Sequence, residues 1–182
     1  VEKLYLNFGG ALERLMNHHA SRPISERFSN LKSLVARDHR YDRAHTIDNN
    51  FLQQLPTSLE ALKLNPTTID VALLDKIPAN LKHLDVCLEY TESASSFSLS
   101  SGLESLSVMF VTAKVYPLVV APSLTSLKLD MVQKPSALLE ILPLKLLRDF
   151  VVRDSIEAWT ETELEFLRDK AVCLTRMELV PF

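Results

Sequence analysis

Residues 59–64 read LEALKL, and the same placement of apolar residues returns as LKHLDV at 81–86, LESLSV at 103–108 and LTSLKL at 124–129. Written as a hexad φ-x-x-φ-x-φ, with φ apolar, the pattern also fits VEKLYL at 1–6, LKSLVA at 31–36, LRDFVV at 147–152 and LTRMEL at 174–179. The hexads start at 1, 31, 59, 81, 103, 124, 147 and 174, so successive starts differ by 30, 28, 22, 22, 21, 23 and 27 residues. Self-similarity at such a period marks a chain built from stacked supersecondary units. Each period is long enough for one strand, one turn and a short return segment.

The filling of the hexad follows from strand geometry. Its last three residues alternate, as a half-buried strand must, so Leu62 and Leu64 share one face while Lys63 points to the other. Leu84 and Val86, Leu106 and Val108, and Leu127 and Leu129 repeat the arrangement. One coil cannot bury its own apolar side, but stacked coils share a continuous core. The polar positions face outward and vary. The expected fold is therefore an α/β solenoid of about eight parallel strands, forming one domain over residues 1–182.

These hexads resemble the leucine-rich repeat family, and the resemblance spans almost the whole chain. It implies a horseshoe with the strands on a concave face and short helices or irregular returns on the convex face. The Asn or Cys usual at the ninth repeat position is replaced by Thr67, Glu89, Val111, Val132 and Ser155, which marks a divergent, irregular form. Pro56, Pro78, Pro122 and Pro143 precede hexads and preset a sharp turn there.

The return segments are uneven. Helical spacing occurs in 11–18 (ALERLMNH), 69–76 (IDVALLDK) and 136–142 (SALLEIL), and Asp48 is placed to cap a helix reaching Gln54. The clearest helix is 160–170, where Thr160 and Glu163 fit a capping box. In contrast, 91–101 is Ser-rich and 108–120 is Val-rich with Tyr116 and Pro117, which predicts irregular or strand-like returns in the middle.

Composition removes several function classes. The 182 residues are 47% hydrophobic and 24% charged, with net charge −3, as in an ordinary globular chain. No basic excess points to nucleic acid. The longest apolar runs, such as 115–121, are far too short to span a bilayer. With only Gly9, Gly10 and Gly102, neither glycine-rich phosphate motif can be written. Cys87 and Cys173 form no Cys-x-x-Cys motif, and Asn65 is followed by Pro66, so no Asn-linked glycosylation acceptor exists. An intracellular protein, cytoplasmic or nuclear, is expected. The chain starts with Val1 and is expected to be a fragment of a longer one.

The resemblance implies that hexad positions three and five line the concave face. Position three carries Lys3, Ser33, Ala61, His83, Ser105, Ser126, Asp149 and Arg176. Position five carries Tyr5, Val35, Lys63, Asp85, Ser107, Lys128, Val151 and Glu178. Eight strands about 4.8 Å apart give a face on the order of 35 Å long, enough for a protein segment. From it, Tyr5, Lys63, His83, Asp85, Ser105, Ser107, Lys128 and Asp149 are the candidate partner contacts. A second candidate is the stretch 37–45 (RDHRYDRAH), expected at the strand-end rim. Its Arg37, Arg40 and Arg43 can clamp a carboxylate or phosphate, and Tyr41 can add an aromatic anchor. The alternative is a solvated insertion in which these arginines pair with Asp38 and Asp42.

Catalytic arrangements are weak. His39 and His45 have no recognised zinc spacing, and His18 and His19 diverge on a helix. His83 and Asp85 share a strand face, with Cys87 two residues on, but no oxyanion-hole motif accompanies them. No catalytic, metal or cofactor site is assigned. The expectation is a non-catalytic scaffold that binds a protein partner. The resemblance also implies a narrower alternative, the substrate-recognition part of an F-box ubiquitin ligase, whose F-box would bind a Skp-type adaptor from a region upstream of Val1. A remoter one is the repeat domain of an effector enzyme with its catalytic domain elsewhere. Nothing in the sequence sets the oligomeric state.

Overall fold

The structure is a computed structural model that describes residues 1–6, 23–37, 46–89, 97–99, 101–110, 118–119, 122–130, 145–155 and 159–181. Its main sheet contains β1 (Lys3–Leu6), β2 (Ser33–Arg37), β3 (Thr46–Ile47), β4 (Ala61–Asp70), β5 (His83–Glu89), β7 (Ser105–Phe110), β9 (Ser126–Asp130), β10 (Asp149–Ser155) and β11 (Arg176–Pro181). A two-stranded sheet holds β6 (Phe97–Ser98) and β8 (Leu118–Val119). Every described pairing is parallel. The main path runs β1-β2-β4-β5-β7-β9-β10-β11, with β3 pairing to β4 off it. A parallel neighbour requires a crossover, and each return segment supplies one.

The register matches hexad to hexad without a slip. Lys3 lies opposite Ser33, Ser33 opposite Ala61, Ala61 opposite His83, and the row continues through Ser105, Ser126 and Asp149 to Arg176. Backbone hydrogen bonds explain why. The carbonyl of hexad position two accepts both the position-two and position-three N–H groups of the next coil. Seven carbonyls do this in turn: Glu2, Lys32, Glu60, Lys82, Glu104, Thr125 and Arg148.

The apolar columns are sealed between coils. At position four, Leu34, Leu62, Leu84, Leu106, Leu127 and Phe150 are all at most 2% exposed. The leucines at position one from Leu31 to Leu147 and the position-six residues from Ala36 to Val152 are buried with them.

Side chains fasten the corners where each coil enters the sheet. Ser58 donates to the carbonyls of Ser29 and Leu31, at 2.8 and 2.9 Å. Ser123 repeats the arrangement on Ser101 and Leu103, at 2.6 and 2.7 Å, and the Asn80 amide donates to Thr57. All three residues directly precede a hexad leucine, a position in which a short polar side chain can reach the backbone of the coil before. Position two adds alternating charge across the first five coils, Glu2, Lys32, Glu60, Lys82 and Glu104. Lys82 reaches Glu60 at 3.1 Å, and this hydrogen bond holds the Glu60 carboxyl below its ordinary range.

The return segments follow local chemistry. Helix α1 (Ile24–Arg27) buries Ile24. Helix α2 (Asn49–Gln53) is capped by Asp48, whose carboxylate accepts the Phe51 N–H at 2.8 Å. The expected helix over 69–76 is a 3-10 helix limited to Val71–Lys76, because Ile69 is drawn into β4 opposite Leu88. Helix α3 (Glu161–Lys170) has the full Thr160–Glu163 capping box, and Trp159 before it meets Phe150 edge-on at 5.9 Å. The pairing of β6 with β8 places strand-like chain in the middle returns, as the composition of those stretches predicts. The helical patterns at 11–18 and 136–142 lie outside the described residues.

Leu106→Ala should cost about 2–5 kcal/mol in a denaturant titration, because its neighbours in adjacent coils cannot close the cavity. Lys63→Ala, on the opposite face, should cost under about 1 kcal/mol. Ser58→Ala and Ser123→Ala should each cost about 1 kcal/mol and add in the double variant, since they fasten separate corners.

Candidate functional site

The face opposite the buried columns carries hexad positions three and five. Strand alternation puts them there, and the register turns each into a row running across eight strands. At the centre of these rows Lys63, His83, Asp85, Ser105 and Ser107 surround a shallow hollow of about 270 Å³, with Val35 and Ala61 on its wall. Five of the sequence candidates thus converge on one place. Lys63 and Asp85 are register partners and form an ion pair across β4 and β5. His83 is exposed, while Ser105 and Ser107 are half-buried.

The remaining candidates lie along the same face but outside the hollow. Lys128 pairs with Asp130 of its own strand at 2.8 Å. Asp149 stands in the row between Ser126 and Arg176. Tyr5 is 60% exposed on the first strand. Arg37 ends β2, and Arg40, Tyr41 and Arg43 lie outside the described residues.

Charge on this face is largely neutralised by its own neighbours. Besides the Lys63–Asp85 and Lys128–Asp130 pairs, the Glu178 carboxylate is shared by Arg176 at 2.7 Å and Arg153 at 2.9 Å. Those two guanidinium groups hold the Glu178 carboxyl below its usual range, the Arg176 hydrogen bond contributing most. A charged ligand would have to break such pairs to gain new ones. A neutral segment offering hydrogen bonds to Ser105 and Ser107 would not.

The His83-Asp85-Cys87 sequence does not assemble as a catalytic group. Asp85 is committed to Lys63. Cys87 lies four residues along the strand from His83, roughly 13 Å away at strand rise. Its side chain is buried, and burial, aided by Asp85 and Asp130, pushes the thiol up to about 11. At neutral pH it is a protonated thiol rather than a nucleophile. Among the described residues no group of three or more His, Cys, Asp or Glu side chains converges on a metal-sized space.

Two polar features were not anticipated. Thr67 and Thr68 are buried at 4% and 2% exposure, and the Thr68 hydroxyl has no hydrogen-bond partner. They lie where β4 shifts register between Leu64 and Thr68, and that irregularity carries the strand on to Asp70. A Thr-Thr pair after Pro66 is β-prone, but nothing local in it marks a bulge. No protein-family model matches the chain, and no curated protein is significantly similar to it.

Native protein should expose one reactive thiol per chain, Cys173, and unfolded protein both, as read with a chromogenic thiol reagent at pH 8. Because the folded pKa of Cys87 lies above its unfolded value, its contribution to stability is complete below about pH 9 and falls between about 9 and about 11. Cys87→Ala should flatten that part of the pH–stability curve.

Proposed function

We propose that this chain is a divergent leucine-rich-repeat solenoid and acts as a non-catalytic scaffold that holds a protein partner on its outward sheet face. The observation that carries the reading is the convergence of Lys63, His83, Asp85, Ser105 and Ser107 on the central hollow. The in-register rows around it support an extended, ordered contact rather than an isolated pocket. A shallow site of this size suits one or two side chains of a larger partner better than a whole metabolite. The protonated, buried Cys87 supports a binding role over a chemical one. Both cysteines are free, which supports a reducing, intracellular setting.

Affinity purification from cells of the source organism, followed by mass spectrometry, tests the proposal. Ser107→Arg fills the hollow and should remove the specific partner, whereas Lys145→Glu, in an exposed turn outside the two outward rows, should retain it. Loss with both variants, or with neither, would contradict a site on this face. Co-recovery of a Skp-type adaptor and a cullin would narrow the scaffold to a ubiquitin-ligase substrate receptor.

A further inference from the structure

The two outward rows differ in what they leave unpartnered. In the position-five row the charges are already paired: Lys63 with Asp85, Lys128 with Asp130, and Glu178 with Arg176 and Arg153. In the position-three row, His83, Ser105, Ser126 and Asp149 follow one another on β5, β7, β9 and β10. Among the described residues, no hydrogen bond or ion pair engages these four side chains. Asp149 is thus the exception to the neutralised charge of this face. It is half-buried, and its register neighbour Arg176 is drawn to Glu178 at 2.7 Å. Along the two rows from β4 to β10, an incoming ligand meets one acidic or strongly basic group without a counter-ion, and it is a carboxylate.

The register sets this carboxylate at a fixed distance from the hollow. From β5, in the middle of the hollow, to β10 is three strand spacings, about 14 Å. A peptide lying extended across the strands covers that in about four residues, and residues four apart on an extended chain point to the same side. The hollow offers Val35 and Ala61 as apolar wall, and it suits an uncharged side chain because Lys63 and Asp85 already neutralise each other. Asp149 offers a guanidinium or ammonium a charge-assisted hydrogen bond without the breaking of an existing pair. The hydroxyls of Ser105 and Ser126 stand on the row between the two points.

We propose that the partner is held through an extended segment laid across the strands along the position-three row. An aliphatic side chain of that segment fills the hollow, and a lysine or arginine about four residues away pairs with Asp149. The inference rests on the outward face being the binding surface, and it adds the chemistry of what that face holds.

A phage-displayed library of random peptides, selected on the wild-type chain and counter-selected on Ser107→Arg, tests this, with circular dichroism confirming the fold of each variant. Enriched peptides should share Leu, Ile, Val or Met with a Lys or Arg about four residues away. Synthesised with a fluorescein label and measured by fluorescence anisotropy, they should bind Asp149→Asn at least about tenfold more weakly than wild type. Replacing the peptide's basic residue by Ala should weaken binding to wild type by the same factor and leave binding to Asp149→Asn unchanged. Peptides that require the hollow but lack the basic residue, or that bind Asp149→Asn like wild type, would overturn this inference and leave the scaffold reading standing. A library that yields no peptide able to distinguish wild type from Ser107→Arg would overturn both.

Discussion

The carbonyl of the second hexad residue takes two N–H groups from the coil that follows, and this contact recurs at every step from Glu2 to Arg148. It fixes where each strand begins relative to the last. Once the starting point is fixed, strand alternation determines the rest: positions four and six fall into the core and positions three and five onto the opposite face. A slip of one residue would exchange the two faces, bury Lys63 and Asp85, and expose Leu62 and Leu84. The corner bonds of Ser58 and Ser123 and the alternating charges at position two act in the same direction, since both depend on adjacent coils being aligned.

That alignment also makes the outward face. Lys63, His83, Asp85, Ser105 and Ser107 come from three coils, and no two coils contribute residues close in sequence. They converge because the register puts equal hexad positions side by side. The face needs no loop to define it, and its shape is as rigid as the columns beneath. Its chemistry is mild: paired charges, two hydroxyls and an exposed imidazole. Such a surface presents shape and hydrogen-bonding groups more than net charge.

The columns were legible in the sequence because leucine at a fixed spacing has one physical explanation, burial against a neighbouring coil. The caps at Asp48 and Thr160 were legible because they depend only on residues within one turn. Helix α1 was not anticipated; it is a single turn with no capping side chain, so it leaves no local signal. The end of β4 was missed because Ile69 answers to a partner strand, not to the helical spacing it shares with Val71–Lys76. Ser58, Asn80 and Ser123 recur immediately before hexad leucines, a signal present in the sequence whose meaning depends on carbonyls in the coil before. For the site, the rows were legible from alternation. The hollow was not, because it arises from side-chain size and ion pairing across coils: Ala61 and the serines are small, and Lys63 is drawn toward Asp85.

Engineered cross-linking measures the alignment most directly. In a chain with Cys173→Ser, cysteines introduced at Ser105 and Ser126, which are register partners, are set at the spacing of neighbouring strands, within the range a disulfide spans. Cysteines at Ser105 and Lys128 are two residues out of register and about 7 Å or more apart. The account predicts that mild oxidation of native protein closes the first pair readily and the second poorly. Preferential closure of the second pair, or equal closure of both, would contradict the stacked register on which the core and the outward face depend.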